Sequence, residues 1–239
     1  MANKTTDVEP MFVTMGKSPL RAKRFGGAMV SLTGGEGYEL SYLLANYDWA
    51  SIDAASGTLV DVGGSHGFVC TALAEKYPNM KFVVQDLPKT ISSAPALPES
   101  LASRVTYETH DFYTPQTVKG ADMYFFRWIL HNQADKYAIK MLRQLIPALK
   151  KGARVLINDH CLREPGEESA WDEKIMRTMD LVMLTLLNAQ ERTEEEFREL
   201  FFQVDERFRF LGVTRLAGCR MSIVEAVWEG EDYGEADGN

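Results

Sequence analysis

A chain of 239 residues, 45% of them hydrophobic, is long enough for one domain with a large core, or for a domain plus an appendage. Its formal net charge of −8 argues against an extended nucleic-acid surface. Cys70, Cys161 and Cys219 are odd in number and lack a Cys-x-x-Cys pair, which points to reduced thiols and not to a disulfide framework. The start Met1-Ala-Asn-Lys-Thr-Thr-Asp7 has no apolar leader, and no apolar run approaches a membrane span. A soluble, cytoplasmic protein with no membrane partner and no nucleic-acid partner is expected.

In chain order, residues 1–20 are polar, carry Pro10 and Pro19, and read as a flexible lead. Residues 21–50 turn helical, with Phe25 and Met29 four apart, a break at Gly34-Gly35, then Tyr38, Leu40, Tyr42, Leu43 and Leu44. This segment is expected to cap a ligand cleft. Residues 51–229 alternate strand and helix patterns, the mark of a parallel sheet covered on both faces. Strands are expected at 58–62, 81–85, 104–108, 122–127 and 153–158, and helices near 66–77, 91–95, 135–149 and 170–187. Segments 207–216 and 220–228 read as a closing antiparallel pair, and residues 230–239 as an acidic tail. The fold class is therefore α/β: a Rossmann-like, doubly wound, seven-stranded, mostly parallel sheet with an antiparallel terminal hairpin.

The stretch Thr58-Leu-Val-Asp-Val-Gly-Gly-Ser-His-Gly-Phe68 is a buried strand entering a glycine turn and then a helix, the place where doubly wound folds bind nucleotide-like ligands. Its glycines miss the Gly-x-Gly-x-x-Gly spacing of a dinucleotide site. They do spell Gly-x-Ser-x-Gly, the hydrolase nucleophile elbow, with Ser65 as nucleophile. Against that stands Lys81-Phe-Val-Val-Gln-Asp86, a second strand ending in an acid able to accept both hydroxyls of a ribose, for which a hydrolase has no use. The plainer reading of Asp86 is a helix cap.

Several motifs occur in order: Asp61-Val-Gly-Gly-Ser-His-Gly67, Val84-Gln-Asp-Leu-Pro88, His110-Asp-Phe112, Phe126-Arg-Trp-Ile-Leu-His-Asn132, Pro147-Ala-Leu149 with Gly152-Ala-Arg-Val-Leu-Ile-Asn-Asp159, and Glu191-Arg-Thr193. Together they resemble class I S-adenosylmethionine-dependent O-methyltransferases, nearest the caffeate-type small-molecule branch in its fungal secondary-metabolism form. The resemblance runs over residues 20–229. It implies S-adenosyl-L-methionine as cofactor, a hydroxylated small-molecule acceptor, and His131 as general base. Asp159 and Glu191 take the acidic places beside the base, although Glu191 could instead cap the helix starting near Thr193. For the donor, the resemblance implies Asp61, Gly63 and Gly64 at the methionine part, Asp86 and Leu87 at the ribose, and Asp111 and Phe112 at the adenine. Arg127 stands where a lysine is usual, pairing with cofactor or with a strand-end acid. Met179, Met183 and Asn188 are the acceptor-pocket candidates, with plain core packing the more ordinary reading of the methionines.

Two departures stand out. Asn132-Gln133 follows the base where the family carries an aromatic, which puts support of the base in question. The family's N-terminal winged-helix dimerisation domain has no counterpart in this sequence, so the expectation stays open among a short relative, a truncated product and a non-methylating descendant, with a homodimer or a partner subunit possible. A metal reading on Asn158-Asp159-His160 supplies few convergent ligands, and no metal is expected.

Overall fold

The computed structural model describes Thr14 and residues 17–233. Most of the expected lead and the last six residues of the acidic tail lie outside the described residues. Three helices come first: α1 (Pro19–Thr33), α2 (Leu40–Ala45) and α3 (Trp49–Ala54). The alternating part follows as β1 (Thr58–Val62), α4 (Phe68–Lys76), β2 (Lys81–Asp86), α5 (Pro88–Ser92), β3 (Val105–Thr109), β4 (Met123–Arg127), α6 (Asp135–Arg143) and β5 (Arg154–Asp159). It closes with β6 (Cys161–Leu162), α7 (Ala170–Leu187), β7 (Arg192–Thr193), α8 (Glu194–Val204), β8 (Phe208–Arg215) and β9 (Ser222–Trp228).

Seven strands form one sheet in the order β3-β2-β1-β4-β5-β9-β8. Strands β3 to β5 pair in parallel, while β9 runs antiparallel between β5 and β8. The expected α/β class, seven strands and closing hairpin are all present. The chain order reverses between β1 and β4, and ligand crevices of open α/β sheets lie outside the carboxyl ends of strands at such a point.

Alternation along the strands feeds two cores, one per sheet face. On one face Val60, Val62, Tyr124, Phe126, Val155 and Ile157 meet Met141 and Leu142 of α6 and Phe197 and Phe201 of α8. On the other, Leu59, Phe82, Val84, Phe125 and Leu156 meet Leu43 of α2, Trp49 of α3 and Leu73 of α4. Leu43 is 1% exposed and belongs to this second core.

Boundaries shift where local chemistry overrides periodicity. The helix expected from residue 66 starts at Phe68, because Gly67 at φ +73° is its left-handed N-cap. The helix expected at 91–95 occupies Pro88–Ser92, since Pro88 presets the first-turn φ. The stretch expected as one helix over 135–149 divides into α6 and a 3-10 turn, Ile146–Ala148, because Pro147 cannot continue the backbone ladder. The short parallel pair β6–β7 was not expected. It brings residues 191–193 beside the end of β5.

Candidate active site

The glycine turn leaving β1 packs tightly before any ligand is considered. Gly63 and Gly64 both donate to the Gln85 carbonyl, at 2.8 and 3.0 Å. A Cβ on Gly64 would stand 2.4 Å from the Asp61 carboxyl carbon, and one on Gly63 2.7 Å from Ile129 Cδ1. With Gly63 at φ +76°, neither the conformation nor the space admits a side chain. The turn therefore offers a bare backbone surface, and its first two N–H groups are committed to β2.

Asp86 closes β2. Its carboxylate is aimed by two backbone donors, Ser65 N–H to Oδ2 at 2.9 Å and Leu87 N–H to Oδ1 at 2.7 Å. Each oxygen keeps acceptor capacity beyond its one bond. Leu87 is 53% exposed beside it. After β3, Asp111 accepts from the Tyr113 N–H at 2.9 Å. The Phe112 ring edge comes to 3.9 Å from a Cβ placed on Gly63. The ends of β1, β2 and β3 thus assemble Gly63, Gly64, Asp86, Leu87, Asp111 and Phe112 as one strip. Asp61 lies beneath it, fully buried, its carboxyl pushed up to about 7 by burial and contacted by the Cys70 thiol at 3.6 Å.

The Ser65 N–H is spent on Asp86, and His66 beside it pairs with the Ser93 hydroxyl at 3.1 Å. Among the described hydrogen bonds no histidine meets the Ser65 hydroxyl.

After β4 the chain turns sharply. Trp128 sits at φ +59°, a costly conformation for a bulky residue, followed by a 3-10 turn, Leu130–Asn132. His131 on that turn is buried, and its Nδ1 lies 3.0 Å from Glu191 Oε1. Asp159 is placed differently: its Oδ2 accepts the backbone N–H groups of Leu130 at 3.0 Å and His131 at 3.3 Å. One acid orients the ring and the other holds the turn. Glu191 does not cap α8, because Thr193 and Glu196 form a reciprocal capping box there.

The two partners of the His131–Glu191 contact shift in agreement. Burial alone would lower the His131 pKa, but the Glu191 hydrogen bond and the charges of Asp159 and Glu191 raise it overall. Burial alone would raise that of Glu191, but its two imidazole hydrogen bonds hold it near about 2. An ionised carboxylate only accepts, so Nδ1 of His131 carries the proton and Nε2 is the basic nitrogen.

Other residues hold the turn. Arg192, 1% exposed, donates to the Leu130 carbonyl at 2.9 Å and the Gln133 carbonyl at 2.7 Å, and pairs with Asp135 at 2.7 Å. Asn132 donates to the Trp128 carbonyl at 2.8 Å. These contacts supply support that the Asn132-Gln133 departure had put in question. Asp180 of α7 accepts the Glu191 N–H at 2.9 Å. Arg127 binds Asn158 and, at 2.9 Å, the Tyr38 carbonyl, so two of its nitrogens serve the protein.

His160, absent from the expected site, has its Nδ1 3.0 Å from the same Glu191 oxygen and its Nε2 3.2 Å from the Tyr38 hydroxyl. His131, His160 and Glu191 converge within 4.8 Å, as a cation site would, yet both Nδ1 atoms address one carboxylate oxygen and read as two hydrogen bonds shared on Oε1. The contiguous trio of residues 158–160 diverges: Asn158 faces Arg127 and Ser222, Asp159 the turn, and His160 Glu191. Of the acceptor-pocket candidates, Met183 is buried and Met179 half-buried on α7, the helix that packs on the His131 turn. Asn188 is exposed at φ +52° and ends α7, its N–H returning to Leu184 at 3.2 Å. That is a helix-terminating role.

Residues 10–204 match the family model of the O-methyltransferase domain. A chlorophenol O-methyltransferase of Trichoderma longibrachiatum is 57% identical over 231 residues, covering 95% of this chain and 50% of that protein. The solved O-methyltransferase NcsB1 from neocarzinostatin biosynthesis, in complex with S-adenosylmethionine and 2-hydroxy-5-methyl naphthoic acid, is 26% identical with a TM-score of 0.74, covering 92% of this chain and 61% of that one. A solved pericyclic reaction enzyme is also 26% identical, with a TM-score of 0.70 over 91% of this chain and 54% of that one. The chain spans about half the length of the curated relative it matches. By the extent of the family match and this level of identity, the chain belongs to the O-methyltransferase domain family.

Proposed function

We propose that this chain is the catalytic domain of an S-adenosylmethionine-dependent O-methyltransferase acting on a hydroxyl of a small aromatic metabolite, with His131 as general base. The observation that carries the reading is the His131–Glu191 contact of 3.0 Å, which leaves Nε2 as the proton acceptor at the strand-end crevice. The strip at the ends of β1 to β3 fits the donor. The glycine turn presents bare backbone, and Asp86 presents two aimed oxygens with spare lone pairs to a ribose diol. The donor supplies an activated methyl on a sulfonium. His131 takes the acceptor proton as the new oxygen–carbon bond forms, Glu191 stabilises the imidazolium, and Asp159 fixes the turn through its backbone. The 57% identity to a protein named for chlorophenol supports a phenolic acceptor.

Incubation with methyl-labelled donor and a panel of phenols and hydroxynaphthoic acids is expected to transfer label. His131→Ala should cut the rate by roughly 10²–10⁴ with donor affinity nearly unchanged. Transfer that persists in His131→Ala removes this residue from the role. A second reading is donor binding without methylation, favoured by the likeness to a pericyclic reaction enzyme. Tight donor binding with no transfer to any acceptor would move the conclusion there.

A further inference from the structure

The buried carboxylate that orients His131 has a second client. His131 Nδ1 and His160 Nδ1 each lie 3.0 Å from Glu191 Oε1, while the other oxygen, Oε2, is buried with no hydrogen-bond partner. Since an ionised carboxylate only accepts, both Nδ1 atoms are donors. In a neutral His160 ring, Nε2 then accepts from the Tyr38 hydroxyl at 3.2 Å. Tyr38, on the segment leading into α2, thereby supports the tautomer that Glu191 selects and fixes the His160 ring. We propose that His160, held by Tyr38, is a positioning residue that shares the single oxygen orienting the base and so limits how strongly Glu191 draws a proton onto His131.

The sign follows from competition for one acceptor. Two N–H donors divide the charge of Oε1, and each bond is weaker than it would be alone. Removing the His160 donor leaves Glu191 more basic and concentrates its pull on His131, which favours the imidazolium. His131 then needs a higher pH to lose its proton and act as a base. Replacing His160 removes the hydrogen bond that its Nδ1 gives to Glu191 Oε1. The other groups facing His131 are Asp159 at the end of β5 and Arg192 on β7. Those facing Tyr38 are Arg220, Glu191 and Cys219. Asp180 faces the Glu191 backbone. All of these stay in place when His160 alone is changed.

The inference rests on His131 as base, and its test separates the two. The protein has four histidines, so NMR of ring-labelled protein resolves the His131 titration directly, without turnover. In His160→Leu the His131 midpoint should rise by about half a pH unit or more. In His160→Gln, whose amide can donate to Glu191 and accept from Tyr38, it should stay within about 0.2 of wild type. Tyr38→Phe removes the hydroxyl that fixes the His160 ring, loosens its bond to Glu191 and should shift the midpoint upward by less, and it keeps the test available if His160→Leu fails to fold. An unchanged or lowered midpoint in His160→Leu, or in Tyr38→Phe where that is the folded variant, overturns the proposal. In the pH dependence of turnover with a phenol, the acid limb should move with the NMR midpoint. If wild-type turnover shows no step at that midpoint, the base assignment fails, while the NMR comparison still decides whether His160 tunes the ring.

Discussion

Asp86 and Asp61 are neighbouring strand-end acids with opposite circumstances. Asp86 is half-buried, and its two backbone donors aim it without exhausting its lone pairs. Losing a charged acceptor of two hydroxyls costs about 1.5–3 kcal/mol, so Asp86→Ala should weaken donor binding by more than roughly tenfold in calorimetry. Binding unaffected by this change would remove Asp86 from the cradle. Among the described residues Asp61 accepts from the Cys70 thiol, and burial raises its carboxyl to about 7. A folded-state value above the unfolded one means the folded chain binds the extra proton, so this group's contribution declines as pH rises from about 4 to about 7. Asp61→Asn removes the ionisation. Without ligand, it should stabilise the protein at pH 8, on the order of a few kcal/mol at most, with the gain vanishing towards pH 4. Parallel melting-temperature curves for the two proteins across that range would contradict this. The sequence exposed Asp61, Asp86, His131 and Glu191 through their motifs. It could not expose the Tyr38–His160 bond, which joins residues 122 positions apart and follows no spacing rule.

At the level of elements, strand placement was legible because continuous apolar runs such as Leu59-Val60 and Tyr124-Phe125-Phe126 have no other stable location. Boundaries moved at Gly67, Pro88 and Pro147, where one backbone dihedral outweighs the apolar pattern. The pairing of β6 with β7 was illegible, since two-residue strands carry no periodicity, yet that pair delivers Glu191 to His131. Arg192 is the clamp between them. Its side chain is 1% exposed and satisfies two carbonyls of the His131 turn, whereas its ionic partner Asp135 is 57% exposed and contributes little after solvent screening. Arg192→Ala leaves those carbonyls unpaired and should destabilise the fold by about 2–4 kcal/mol. Turnover should fall, because the turn is released, while donor affinity holds, because β1 to β3 are untouched. Urea titration with donor calorimetry tests both. A variant as stable and active as wild type would show that Asp159 suffices to hold the turn.

For the whole molecule, the two sheet faces are filled from within the chain, but apolar surface remains on the helices outside them. Along α7, Trp171 is 64% exposed, Leu181 59%, Leu184 55% and Leu186 52%, and on α1 Leu20 is 58% exposed. Leu181 and Leu184 are three apart, so their side chains are neighbours on one face of α7. No helix among the described residues is long and apolar enough to cross a membrane. Contiguous apolar patches of this kind mark contact surfaces. The same helix packs on the His131 turn and holds Glu191 through Asp180, so whatever covers its outer face borders that turn. The chain should therefore self-associate at high concentration, and light scattering should report a mass above 26.9 kDa. The double variant Leu181→Glu with Leu184→Glu should return it to monomer, since burying two carboxylates in an apolar contact opposes association by several kcal/mol. A wild-type chain that stays monomeric at high concentration would show that α7 remains uncovered by copies of itself.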